Sequence, residues 1–182
     1  MHKDDIKQIL FTEEQIKKRV MEMGAEITKD YQGKNLIIIS LLKGAAWFTT
    51  DLSRAIDLPV RVDFMVVSSY GNETVTSGAV KVHLDVRDDL RGKDILVVDD
   101  ILDSGITLNA VVKMMQMHSP ASVKTCVLCD KEERRLNDFK ADYVGFKVPD
   151  EFLVGFGLDY AGDYRNLPFI GVLNSSVYAR TK

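Results

Sequence analysis

The chain predicts an α/β fold, with a central, mostly parallel sheet flanked by helices. Three observations lead there. Strand signals recur at residues 35–42, 60–67, 95–98 and 123–129, and the short apolar runs within 35–42 and 95–98 read as buried strands. Between them, residues 45–56 and 107–117 carry apolar side chains at helical spacing, and strands alternating with helices argue for a parallel sheet. Acidic and glycine-bearing segments follow directly on those strands, at the edge where open sheets of this kind bind ligands.

The elements follow in order. Thr12 with Gln15 is a capping-box signal, and Ile16, Val20, Met23, Ile27 and Tyr31 then recur as one helical stripe, a packing helix. The strand at 35–42 breaks at Lys43-Gly44 and opens into the helix at 45–56. Pro59 turns the chain into the strand at 60–67. The polar stretch SSYGNETVTSG, 68–78, reads as a long loop of the kind that serves as a lid, and a strand returns at 80–86. Arg91-Gly92-Lys93 leads into the strand at 95–98, and Ser119-Pro120 ends the helix after it. Beyond 129 the pattern becomes irregular, with a charged stretch at 130–135 and short strands near 143–146, 152–156 and 169–173.

A length of 182 residues suits one domain with a real core, and 46% hydrophobic with 28% charged residues is an ordinary globular balance. A net charge of −3 offers no general attraction to nucleic acid or to an anionic membrane. The acidic N-terminal stretch lacks the apolar centre of a signal peptide, so a cytoplasmic location is expected. Cys126 and Cys129 form a CxxC with no second pair to complete a zinc site. They fall in the strand at 123–129 and read as buried thiols, because redox pairs of this spacing sit at a helix start.

Residues 95–107, ILVVDDILDSGIT, carry the most chemistry. A buried strand ends in Asp99 and Asp100, passes through Asp103, Ser104 and Gly105, and enters a helix near Thr107. Backbone N–H groups at a helix start attract phosphate. Paired acids at a strand end hold sugar hydroxyls or a hard metal ion. Four further segments are candidates for the same site: Lys43-Gly44, Ser69-Tyr70, Lys131, and residues 149–160 with Arg165 downstream. Taken alone, each reads equally as a turn, a solvated surface group or core.

Together and in this order, LLKGA, SSYG, VVDDILDSGIT, LCDK, VPDEFLVGFGLDY and YRNLP resemble the hypoxanthine-guanine phosphoribosyltransferases. The resemblance implies the type I phosphoribosyltransferase fold over residues 1–182. A core would span about 12–130, and a small hood, made by the N-terminal segment and about 131–175, would cover the base site. It implies a purine-salvage transferase that moves the 5-phosphoribosyl group of phosphoribosyl diphosphate (PRPP) to hypoxanthine or guanine, giving IMP or GMP and pyrophosphate. Mg²⁺ would be the cofactor, and a homodimer or homotetramer the assembly, with no nucleic-acid or membrane partner.

Roles follow by position. Leu42, Lys43 and Gly44 would bind pyrophosphate, often through a cis peptide before the lysine. Ser69 and Tyr70 would begin the lid. Asp99 and Asp100 would meet the ribose hydroxyls and the metal. Asp103 would be the catalytic base or acid at purine N7. Ile101, Leu102, Asp103, Ser104, Gly105, Ile106 and Thr107 would form the nucleotide loop. Lys131 would donate to purine O6, Phe152 would stack on the base and Leu153 would read it through its backbone. Asp159 would serve the base site and a second metal, and Arg165 the pyrophosphate. Ile106 stands where several relatives carry lysine, leaving the phosphate loop with less positive charge. Three other readings fit parts of the pattern. One is a regulator of the same fold that binds RNA or DNA and senses PRPP, another is a phosphoacceptor receiver domain, and the last is a phosphoribosyltransferase for another base.

Overall fold

The computed structural model describes residues 3–69 and 80–179. The loop expected at 68–78 lies outside them from Tyr70 on. After a short 3-10 turn, the chain runs β1 (Ile6–Phe11), α1 (Glu13–Asp30), β2 (Leu36–Leu42), α2 (Ala45–Ala55), β3 (Arg61–Ser69) and β4 (Val80–Leu84). It continues through β5 (Asp94–Leu102), α3 (Ile106–Gln116), β6 (Ser122–Asp130), β7 (Tyr143–Lys147), β8 (Leu153–Val154), β9 (Ile170–Leu173) and α4 (Ser175–Ala179). Six strands form the main sheet in the order β4-β3-β2-β5-β6-β7. All neighbours in it are parallel except the β3–β4 edge pair. The mixed α/β architecture expected from the alternation of runs is the one observed.

Residue chemistry accounts for the main elements. The Thr12 hydroxyl accepts from the Gln15 N–H while the Gln15 side chain accepts from the Thr12 N–H, a reciprocal cap typically worth about 1 kcal/mol. Ile16, Val20, Met23 and Ile27 are buried along one side of α1 and join Phe48 and Leu52 of α2 over one face of the sheet. Ile37, Ile39, Ile95 and Val97 face the other side and meet Leu108, Val111 and Met115 of α3. Alternate residues of β2 and β5 therefore feed opposite core layers, which is why both strands read as unbroken apolar runs.

Three expectations need correction. First, β5 does not end at its acids. It runs through Asp99 and Asp100 to Leu102 because its ladder with β6 continues to the Leu102–Asp130 pair, whereas its ladder with β2 stops at Ser40–Val98. Second, β7 pairs with β6 in the main sheet instead of joining the segments assigned to a hood. Third, β8 covers only Leu153–Val154, because Gly155, Phe156 and Gly157 all adopt positive φ and leave the extended region. The separate small sheet has the order β1-β9-β8 and is antiparallel. Among the described residues no helix is long and apolar enough to cross a membrane.

Candidate active site

The strand order reverses direction between β2 and β5, with β3 on one side and β6 on the other. A crevice at that reversal, outside the carboxyl ends of the strands, is where open α/β sheets take their ligands. Lys43 and Gly44 leave β2 there, Asp103 to Gly105 leave β5, and Lys131 leaves β6. Ser69 closes β3 at the same edge, opposite Val80 of β4.

The turn after β2 and the acids of β5 meet directly. The Leu42–Lys43 peptide is cis. A Cβ placed on Gly44 would overlap the Asp100 carboxylate, and one on Gly157 would overlap the Gly44 carbonyl oxygen. Gly157 has φ +99, a second reason for glycine there. The segment after β8 therefore rests on the Lys43–Gly44 turn, backbone to backbone.

Asp99 and Asp100 each accept one backbone N–H, Asp99 from Asp100 at 3.0 Å and Asp100 from Ile101 at 2.9 Å. Burial raises the Asp99 carboxyl well above the usual carboxylate range, and the Asp100 charge adds to this. Burial also raises Asp100, against a downward pull from Arg165. Two adjacent buried carboxyls do not both stay ionised without a cation or strong donors. Asp103 sits just beyond β5. Its Oδ1 is buried without a hydrogen bond, and the Arg134 guanidinium approaches it at 3.8 Å.

On the other wall, Lys131 is 6% exposed. Its Nζ donates to the Glu151 carbonyl at 2.9 Å and lies 3.7 Å from Asp150 Oδ1. That contact pins the strand-end lysine to the segment carrying Phe152. Phe152 is 40% exposed and packs edge-on against Tyr160 at 5.3 Å and near-parallel to Tyr178 at 5.7 Å. Leu153 is buried beside it in β8, paired with Val172. Arg165 spreads its fork over two acceptors, the Asp159 carboxylate at 2.6 Å and the Gly157 carbonyl at 2.6 Å. Asp159 also accepts the Gly162 N–H at 2.8 Å. Among the described residues no three acid, histidine or cysteine side chains gather into one metal-holding cluster.

The phosphoribosyl transferase domain model matches residues 7–161. The chain is 51% identical to the hypoxanthine-guanine phosphoribosyltransferase of Bacillus subtilis, over 98% of this chain and 99% of that one.

The chain belongs to the hypoxanthine-guanine phosphoribosyltransferase family.

Two solved members of this phosphoribosyltransferase family superpose closely. The hypoxanthine phosphoribosyltransferase of Staphylococcus aureus aligns with a TM-score of 0.93 at 46% identity, covering 96% of this chain and 95% of that one. That of Trypanosoma cruzi aligns with a TM-score of 0.95 at 43% identity, covering 100% and 98%.

Sequence reasoning missed several residues around this phosphoribosyltransferase site. Arg134 and Arg135 fall in the charged stretch at 130–135 and Asn137 just beyond it, yet all three pack behind and beside residues 103–105. Glu151 acts through its carbonyl, which leaves no mark in the sequence. The one available signal was Asp130 at the end of a buried strand, five residues before Arg135. A carboxylate in that position calls for a nearby cation.

Proposed function

We propose that this protein transfers the 5-phosphoribosyl group of PRPP to the N9 nitrogen of a 6-oxopurine, hypoxanthine or guanine, releasing pyrophosphate. The observation that carries the reading is the meeting of three segments at one strand-order reversal: the Asp99–Thr107 segment, the Lys43–Gly44 turn and the Lys131–Phe152 wall. The names of the relatives point the same way.

The proposed roles follow the family resemblance, and the geometry supports them. Residues 104–107 surround the start of α3 and would cradle the 5′-phosphate through backbone N–H groups. Asp99 and Asp100 would hold the ribose hydroxyls. Lys43 and Arg165 would face the departing pyrophosphate, with Asp159 aligning Arg165. Phe152 offers an exposed ring for a flat base, Leu153 a backbone edge to read it, and Lys131 an N–H donor suited to an oxygen at the six-position. Asp103 has an acceptor with no hydrogen bond of its own and would take or return the purine N7 proton. Ser69 and Tyr70 would begin a lid that keeps water from the activated sugar.

The adjacent carboxyls Asp99 and Asp100 are both pushed toward neutrality by burial, so a hard divalent cation supplying positive charge suits them. Mg²⁺ typically binds through one or two carboxylates together with substrate oxygens. When bound it offsets negative charge on the leaving pyrophosphate. Residues 1–182 would form one domain in which the small sheet hoods the base site. A cytoplasmic homodimer or homotetramer is the proposed working form, on the strength of the family resemblance.

The test is a continuous pyrophosphate-release assay. Release is expected only with PRPP, hypoxanthine and Mg²⁺ together, and EDTA is expected to stop it. Release that does not depend on the base would contradict the reading.

A further inference from the structure

Beside residues 103–105, one guanidinium makes three backbone and side-chain contacts. Arg135 Nε donates to the Asp103 carbonyl at 2.9 Å. Its two terminal nitrogens donate to the Phe139 carbonyl and to the Asp130 carboxylate. Arg135 and Asp130 are 12% and 8% exposed. The next residue continues the clasp, with the Leu136 N–H donating to the Ser104 carbonyl at 3.0 Å. Gly105, at φ +81, lies so close that a Cβ there would meet Asn137 Oδ1 at 2.5 Å and Arg135 Cδ at 2.8 Å.

We infer that Arg135 is a positioning residue for the 5′-phosphate cradle, acting through the peptide planes of Asp103 and Ser104. This rests on the proposed function. A trans peptide is planar, and its C=O and N–H point in opposite directions. Drawing the Asp103 carbonyl back to Arg135 turns the Ser104 N–H away from residues 135–139. Drawing the Ser104 carbonyl back to Leu136 does the same for the Gly105 N–H. Residues 135–139 fill the space behind Gly105, so those two N–H groups face the open side, where a phosphate is expected. The donors are then aimed before the ligand arrives, and preorganised donors avoid a reorganisation cost on binding. The Asp130 carboxylate, at the end of β6, fixes the fork of Arg135 and ties the cradle to the sheet.

Arg135→Lys tests this. Lysine keeps a positive charge beside Asp130 but loses the fork that reaches the Asp103 carbonyl. Dissociation constants for IMP, inosine and pyrophosphate are measured by calorimetry in the presence of Mg²⁺, along with the melting temperature. IMP is expected to bind about tenfold more weakly or worse, while inosine and pyrophosphate keep their affinity. Inosine has no 5′-phosphate, and pyrophosphate occupies the other end of the site. Unchanged IMP affinity in a folded variant overturns the inference. So does an equal loss for all three ligands, which is what general loosening would produce. If Arg135→Lys does not fold, Asp130→Asn with Arg135→Gln removes both charges together, so neither ion is left buried alone, and the same comparison applies. Wild-type protein that binds neither IMP nor pyrophosphate contradicts the proposed function instead, which separates the two failures.

Discussion

The carboxylate of Asp100 lies against the backbone of Gly44, filling the space a side chain at position 44 would need. Gly44 has ordinary right-handed helical angles, φ −60 and ψ −40, so alanine there costs nothing in backbone strain. Its methyl group would instead displace the carboxylate or the turn. Gly44→Ala is therefore expected to fold with nearly the wild-type melting temperature and to lose about 100-fold or more in kcat/KM for PRPP, since misplacement near 1 Å costs about that much. Near-wild-type kinetics would show that the contact carries no function.

Asp103→Asn should isolate the proton chemistry. The amide keeps the shape but cannot act as base, and general acid–base help is worth roughly 10²–10⁴-fold. We expect kcat to fall within that range while KM for PRPP changes little. A variant with near-wild-type kcat would remove Asp103 from the proton step.

Lys131→Met removes an N–H donor that holds the Glu151 carbonyl at 2.9 Å. The expected outcome is a rise of about tenfold in KM for hypoxanthine, equivalent to about 1.4 kcal/mol, with KM for PRPP nearly unchanged. An unaltered hypoxanthine KM would count against the assignment of Lys131 to the base.

Alkaline pH should unfold the protein earlier than its composition suggests. Burial pushes the thiols of Cys126 and Cys129 far above their ordinary range. In the unfolded chain they ionise near ~8.5. Their folded values are raised, so the stability they confer is complete below that pH. Above it the unfolded state has released protons that the folded state retains, and stability falls with a slope approaching about 1.4 kcal/mol per pH unit for each thiol. Urea titrations between pH 8 and 10.5 under reducing conditions should show this decline. Replacing both cysteines with alanine should flatten it, and an equal slope in that variant would assign the loss to other groups.

Much of the fold could be read from residues because β2 and the first half of β5 are buried on both faces and present uninterrupted apolar runs, and β6 is buried from Cys126 on. β1 left no such trace. Its pairing with β9 carries register shifts between Ile6 and Gln8 and again between Ile9 and Phe11, so the period-2 alternation that marks a half-buried strand is broken. The end of β5 was misplaced for a related reason. Hydrophobicity stops at Val98, but the ladder with β6 carries the backbone on through Asp99 and Asp100. Within the site, residues that present side chains to a ligand were named from motif and order. The supports were not, because Arg135 and Glu151 act on or through carbonyls, and backbone acceptors have no residue type to betray them.

The central claim is selectivity for a 6-oxopurine as the acceptor of the phosphoribosyl group. Purified protein with PRPP and Mg²⁺ should be offered hypoxanthine, guanine, xanthine and adenine in parallel, with nucleotide formation followed by chromatography. Hypoxanthine or guanine should yield IMP or GMP, and adenine should yield no AMP. AMP as the main product, or no nucleotide from any base, would contradict it.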